Sequence, residues 1–351
     1  MKGLSLFSGA GIGETYLKDC NISIETANEL IKKRADLYHH LYPECNMICG
    51  DITEKNVFEE IIKSAQGIDF LIASPPCQGM SVAGKNRDQE KMIDDSRNFL
   101  INYVFEAIER LNPTYVLIEN VPMLLKIKLP FNNELHTIIE ILTAKFGDTY
   151  NIDAKVVDSS DYGVPQTRMR AIIKMYPKNG IWKWPQPVSH KVTVREAIGD
   201  LPSLESGEKS SIKWHFARSH DKNNILWMKH TPTGCSAFSN PVFYPQKPDG
   251  TKIKGYESSY RRIKWDEPAP TITIRNDCIA SQRNVHPGRL LPDGTYSDAR
   301  VLTPLELMIL DSLPRNWDIP SDTPEILIRQ VIGESIPPLM IKKIVGEIQC
   351  P

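Results

Sequence analysis

Five short apolar runs in the first 120 residues each stop at a polar or glycine-bearing turn. They are Leu4–Phe7, Ile22–Ala27, Met47–Cys49, Ile68–Ala73 and Tyr115–Ile118. Helical spacing follows at Thr15–Asp19, Leu30–Tyr42 and Phe99–Leu111. Short strands that alternate with helices lie parallel, because a parallel pair needs a crossover connection. Such a sheet collects its turns along one edge, outside the carboxyl ends of the strands, which is where open α/β sheets bind ligands. The pattern therefore predicts an α/β fold, Rossmann-like, around a mostly parallel sheet. The chain of 351 residues has room for one large domain or two modest ones.

The fourth run has the most chemically loaded ending. It carries Asp69 inside it and stops at Pro75-Pro76, and Cys77 follows at once. Proline fixes its own φ and restricts the residue before it, so the turn is stiff. A lone cysteine is ordinarily a small buried hydrophobe. One held on a rigid turn at the ligand edge of a sheet is a candidate nucleophile instead. After the fifth run come Glu119 and Asn120, one strand over from Cys77. The apolar neighbours of Glu119 predict burial, which raises a carboxyl pKa.

The first run opens into Ser8-Gly9-Ala10-Gly11-Ile12-Gly13-Glu14. Glycines there let the backbone approach a ligand closely. Glu14 occupies the third position of a G-x-G-x-x-G pattern, which disfavours a nicotinamide enzyme. Glu29, at the tip of the second run and 18 residues after Gly11, stands where a ribose diol is gripped. The third run ends in Gly50-Asp51. Lys85–Arg97 is charged and has no apolar period, and it reads as a loop beside the site. Arg168 and Arg170 stand two apart in an extended segment, so both are expected on one face.

Past Pro177 the character changes. Trp182, Trp184, Trp214, Trp227 and Trp265 fall there, with frequent Pro, Gly and Ser and no long helix. Residues 161–300 hold 22 Lys and Arg against 13 Asp and Glu, while the remainder holds 20 against 30. A basic segment carried on an acidic body suits a polyanion bound on one side only. The domains are expected at 1–176 (catalytic, cofactor-binding), 177–320 (smaller, β- and loop-rich, target-recognising) and 321–351 (a helix returning to the catalytic domain). Thr303, Pro304 and Glu306 predict a helix start with a capping box. Seven irregularly spaced cysteines argue against a disulfide framework, and Cys45 and Cys49 lack the second pair a metal would need. No run of 18 apolar residues exists, and the start lacks the apolar core of a signal peptide. A cytoplasmic chain, not bound to a membrane, is expected.

These residues together resemble the cytosine-5 DNA methyltransferases, which use S-adenosylmethionine. The likeness covers almost the whole chain and keeps the order of the family's motifs. Phe7-x-Gly9-x-Gly11, the acids Glu29 and Asp51, Pro76-Cys77-Gln78, Glu119-Asn120-Val121, Gln166-x-Arg168-x-Arg170 and Arg261 through Ile272 carry it. One departure stands out. Gly333-Glu334-Ser335-Ile336-Pro337 has a carboxylate where the family has an amide near the methionine end of the cofactor.

The resemblance implies Cys77, Glu119 and Arg168 as catalytic residues. Cys77 adds to carbon 6 of a flipped-out cytosine, Glu119 serves ring N3, and Arg168 contacts O2. It implies Phe7, Ser8, Gly9, Gly11, Ile12, Glu29, Asp51, Ile52, Pro75, Leu100 and Ser335 around the cofactor. Gln78, Ser81, Gln166, Arg170 and Arg261 are implied as DNA contacts, and Gly79–Arg97 as a lid. Double-stranded DNA is the expected partner of a monomer. A cognate restriction endonuclease is expected as a functional partner, not necessarily a physical one. An RNA methyltransferase and an inactive DNA-binding relative remain the alternatives.

Overall fold

In a computed structural model, the described residues are 1–76 and 99–349. Cys77, Gln78, Ser81 and the expected lid lie outside them. The chain divides into two units: Met1–Asp158 with Met169–Gln186 and Ile341–Pro351, and Ser159–Arg168 with Pro187–Met340. This division differs from the expected one. Residues 159–168 and 321–340 belong to the second unit, and the return to the first begins only at Ile341.

The first unit is built on a seven-stranded sheet. Its strands are β1 (Lys2–Leu6), β2 (Ser23–Glu29), β3 (Asn46–Cys49), β4 (Phe70–Ala73), β5 (Tyr115–Asn120), β8 (Tyr150–Asp158) and β9 (Met169–Pro177). A hairpin of β6 (Lys128–Phe131) and β7 (Glu134–Thr137) stands apart from it. The order is β3-β2-β1-β4-β5-β9-β8. β1 to β5 pair in parallel, and β9 runs antiparallel between β5 and β8. From β1 the chain builds outward to one side through β2 and β3, then returns to place β4 and β5 on the other. The switch point is therefore the crevice between β1 and β4, where Leu6 pairs with Ala73.

Strand period two decides which side chains are buried. Leu4, Leu6, Leu71, Ala73, Val116, Ile118, Ile173 and Met175 all enter one core. Three helices bring apolar stripes to the same core: α2 (Lys55–Ser64), α3 (Ile101–Leu111) and α4 (Ile138–Phe146). The sequence reading omitted α2, although Val57, Phe58, Ile61 and Ile62 recur at helical spacing. α1 (Lys32–Leu41) buries Tyr38 in a separate cluster with Ala27 and Cys45. The expected helix at Thr15–Asp19 is instead two short 3-10 turns, Ile12–Glu14 and Leu17–Cys20. A two-residue strand, β10 (Ile181–Trp182), pairs with β11 (Ile348–Gln349).

The second unit holds α5 (Val194–Ile198), α6 (Lys222–Lys229), α7 (Pro304–Leu310) and α8 (Glu325–Glu334). α9 (Pro338–Val345) starts in it and ends in the first. Its β content is confined to isolated bridges such as Arg262 with Val285 and Val285 with Val301. Thr303 and Glu306 form the expected capping box at the start of α7. Trp214, Trp227 and Trp265 are buried, so they serve packing rather than a stacking surface for bases. A charged cluster holds the unit together. The Arg300 guanidinium bonds both oxygens of Glu306 and reaches Asp298 Oδ1 at 3.0 Å. Arg262 donates to the carbonyls of Met228, His286, Ser297 and Asp298.

Candidate active site

In the first unit, the turn after β1 is the most unusual backbone. Phe7, Gly9 and Gly11 have φ of 59°, 57° and 73°. Phe7 therefore holds a left-handed conformation that side chains other than glycine adopt at a cost, and such strain concentrates at functional sites. The two glycines differ. A Cβ on Gly11 would overlap the Tyr42 ring and stand 2.8 Å from Tyr38 Cε2, whereas a Cβ on Gly9 would meet nothing within 4 Å. Gly11 is packed from behind and Gly9 faces open space.

The neighbouring strand ends pin this turn. Ser8 N–H donates to the Asn28 carbonyl at 3.0 Å. Glu29 Oε2 accepts from Gly9 N at 2.9 Å, and Oε1 accepts from Ile31 N at 2.8 Å. Each carboxylate oxygen keeps a second lone pair, which a diol can use. Gly50 N–H donates to the Glu29 carbonyl at 3.0 Å, which sets Asp51 and the buried Ile52 beside the same strand end. Asp51 Oδ1 accepts from Thr53 N and Oγ1 at 2.9 and 2.8 Å. Leu30, 60 % exposed, and Ile31, 41 % exposed, follow the acid directly. Open apolar surface therefore lies beside the strand-tip acid. The sequence reading passed over Leu30, though an apolar residue immediately after the strand-tip acid was visible. Leu100, half-buried, precedes α3 and packs on the core below this edge.

On the β4 side, Ser74 Oγ lies 3.2 Å from the Phe7 carbonyl and ties the two turns together. Pro75 is buried, and its carbonyl accepts from Asn120 Nδ2 at 2.9 Å. Asn120 Oδ1 accepts in turn from Val121 N at 2.8 Å. The side chain of Asn120 thus fixes the turn that leads into Cys77. β5 extends through Glu119 and Asn120, past the strand end expected at Ile118, because they pair with Ile172 and Ala171 on β9. Glu119 is 6 % exposed, and Oε1 meets Arg170 Nε at 2.7 Å. The acid is buried, as expected, and it is half of an ion pair. Arg170, expected as a DNA contact, is the partner of Glu119 here.

Four more expected site residues, Gln166, Arg168, Arg261 and Ser335, belong to the second unit. Gln166 is wholly buried. Its Nε2 donates to Asp311 Oδ1 at 2.9 Å and its Oε1 accepts from Ile272 N at 3.0 Å, so its amide is engaged within the second unit. Arg168, 2 % exposed, donates to the carbonyls of Ile272 at 2.6 Å and Gly333 at 3.0 Å. Expected at a pyrimidine oxygen, its guanidinium here holds two backbone carbonyls of the second unit. Arg168 precedes β9, while Arg170 lies within it. Ser335 Oγ lies 2.7 Å from Asp311 Oδ2 and 2.9 Å from the Ile332 carbonyl. Asp311 thereby joins Gln166 to Ser335 across 169 residues of sequence. Arg261, half-exposed, donates to the Glu257 carbonyl at 3.2 Å.

A sheet with its switch point between β1 and β4, a glycine turn, a strand-tip acid and a buried carboxylate–guanidinium pair on β5 and β9 is the framework of a ligand-binding α/β protein. Comparison with known proteins narrows this class. The family model of the C-5 cytosine-specific DNA methylases matches residues 1–350, and the chain belongs to that family. It is 60 % identical over 348 residues to the Type II methyltransferase M1.HgaI of Avibacterium volantium, covering 99 % of this chain and 97 % of that protein. It is 28 % identical to the Type II methyltransferase M1.HphI of Haemophilus parahaemolyticus, over 97 % of this chain and 84 % of that one. The solved structure of the Entamoeba histolytica methyltransferase EhMeth shares the fold with a TM-score of 0.65 at 14 % identity, covering 99 % of this chain and 97 % of that chain. Among the described residues, no helix is long and apolar enough to cross a membrane.

Proposed function

We propose that the chain methylates carbon 5 of a cytosine extruded from a short double-stranded DNA sequence, acting as a monomer in the cytoplasm. The names of its relatives as Type II methyltransferases support a protective role opposite a cognate restriction endonuclease. The observation that carries the catalytic reading lies at the β4 and β5 ends. Asn120 holds the turn before Cys77 at 2.9 Å, and the adjacent Glu119 meets Arg170 at 2.7 Å. The Pro75 turn after β4 is thus held from β5 by the residue next to the Glu119–Arg170 pair, which supports the reading.

Carbon 5 of cytosine is a poor nucleophile until carbon 6 is saturated. The Cys77 thiolate attacks carbon 6 and forms a C–S bond, while the ring electrons move toward carbon 5, N3 and O2. Arg170 is the group assigned to the charge developing on the O2 side, because Glu119 already holds its cation in place. Glu119 faces the N3 and exocyclic amino edge. After methylation a base takes the carbon 5 proton, the C–S bond breaks and the thiolate is regenerated. The base must leave the duplex first, at a cost of a few kcal/mol.

The turn suits S-adenosylmethionine: Gly9 leaves open space, Glu29 keeps acceptor capacity, and Leu30 presents apolar surface. Phe7, Ser8, Gly9, Gly11 and Ile12 would line it, with Glu29, Asp51 and Ile52 toward the nucleoside and Pro75 and Leu100 beside it. When bound, this cofactor supplies an electrophilic methyl group.

Bisulfite sequencing of DNA from cells expressing the chain tests the reading. Protection of cytosines in one short sequence is expected, and Cys77→Ser should abolish it. Protection that survives this substitution would refute the thiol mechanism.

A further inference from the structure

We propose that Glu14 is a positioning residue for the cofactor, tying its affinity to a proton held in a closed cluster of hydroxyls behind the Phe7–Gly11 turn. The inference rests on the cofactor reading above.

Glu14 ends the 3-10 turn Ile12–Glu14 and is buried. Its Oε1 accepts from Ser5 Oγ on β1, and its Oε2 accepts from the Tyr38 hydroxyl on α1. Both donors are neutral. Two routes connect this carboxyl to the turn. Its own N–H donates to the Gly11 carbonyl at 3.0 Å, and the Tyr42 hydroxyl donates to that same oxygen at 2.7 Å. The Tyr38 and Tyr42 rings meet at 4.8 Å between centroids, and both press on the spot where Gly11 lacks a Cβ.

The titratable groups facing Glu14 are Tyr38 from α1, Tyr42 at its C-cap and Cys45 from the segment before β3, with Glu25 of β2 acting on Cys45. Burial pushes both tyrosines upward and Cys45 to about 12, so all three stay neutral at physiological pH. Glu14 alone among them titrates near neutrality. Burial raises it to about 7 against the opposing pull of Ser5 and Tyr38.

The two protonation states differ at the turn. An ionised Glu14 takes both hydroxyl protons. A protonated Glu14 must donate one, so a partner hydroxyl has to turn away. Tyr38 has somewhere to turn, because Cys45 Sγ lies 3.6 Å from its oxygen. Protonation therefore rotates a hydroxyl on the ring pair that supports Gly11, and it removes a buried negative charge. A sulfonium nucleoside carries a positive charge that its thioether product lacks. A buried anion behind the turn favours the sulfonium over the thioether, more strongly than it would in water. Binding then selects ionised Glu14 and expels a proton.

The test is calorimetric titration of the full-length protein with S-adenosylmethionine and with S-adenosylhomocysteine from pH 6 to 8.5, in two buffers of different ionisation enthalpy. Sulfonium affinity should rise between pH 6 and 7 by up to about tenfold per unit, with about half a proton released at pH 7. The thioether should show a flatter profile. Glu14→Gln should bind with no slope and no proton release. Tyr38→Phe removes a donor that favours the ionised form and should move the midpoint upward. Normal wild-type binding without pH dependence or proton release overturns the proposal, as does a slope that survives in Glu14→Gln. If Glu14→Gln does not fold, an unmoved midpoint in Tyr38→Phe overturns it. Absence of binding at every pH overturns the cofactor reading and this inference with it.

Discussion

Gly9 and Gly11 stand two residues apart on one turn, both with positive φ, yet an added methyl group should do different damage at each. Alanine in the left-handed region costs about 1–2 kcal/mol at either position. At Gly9 nothing more is expected for the fold, since its Cβ would meet no atom within 4 Å. At Gly11 the methyl group overlaps Tyr42 and stands 2.8 Å from Tyr38 Cε2. Neither ring can retreat easily. Tyr42 is anchored by its bond to the Gly11 carbonyl at 2.7 Å and Tyr38 is wholly buried. Overpacking of this kind adds roughly 1–3 kcal/mol. Gly11→Ala should therefore lose about 2–5 kcal/mol in urea unfolding, and Gly9→Ala about 1–2. Gly9→Ala should instead weaken S-adenosylmethionine binding at least tenfold, because its methyl group occupies the open side of the turn. Equal destabilisation by the two variants, or wild-type cofactor affinity in Gly9→Ala, would refute the reasoning.

The two arginines of the Gln166–Arg170 segment should separate cleanly. Arg170→Met should lose some stability, because it strands the buried Glu119, and its folded fraction should lose about 10²–10³ in kcat, the usual cost of removing a donor from a developing anion. Arg168→Met should lose stability, by roughly 1–3 kcal/mol for each carbonyl it abandons, and a stable but inactive Arg168→Met would restore the sequence-based assignment. Arg300→Met strands Asp298 and Glu306 without their cation, at about 3–5 kcal/mol by chemical denaturation near neutral pH. Buried beside Arg300, Glu306 is held down to about 2. Its contribution is thus complete above the ordinary carboxylate range and is lost as pH falls toward 2, so the deficit of the variant should shrink in acid. Glu14 has the opposite sign. Raised to about 7, it favours the fold below the ordinary carboxylate range and loses that contribution as pH rises through 7. Without cofactor, Glu14→Gln should gain on the wild type by up to about 3 kcal/mol between pH 5 and 8, and a constant difference would exclude a buried, titrating carboxyl.

The parallel sheet was legible because each strand carries its own ending. Leu4–Leu6 running into glycines, Ile24–Ala27 into Glu29 and Phe70–Ala73 into Pro75 are local patterns, and period two and turn chemistry operate over a few residues. The capping box at Thr303 was readable for the same reason. The partner of each polar side chain was not. Arg168 and Arg170 look alike in sequence, and only folding decides that one meets the carbonyls of Ile272 and Gly333 while the other meets Glu119. Glu14 reads as a failed glycine until Tyr38, 24 residues later, closes over it. Backbone elements form from neighbours along the chain. Burial and pairing of charge depend on residues a hundred positions away, and only the tertiary structure brings those together.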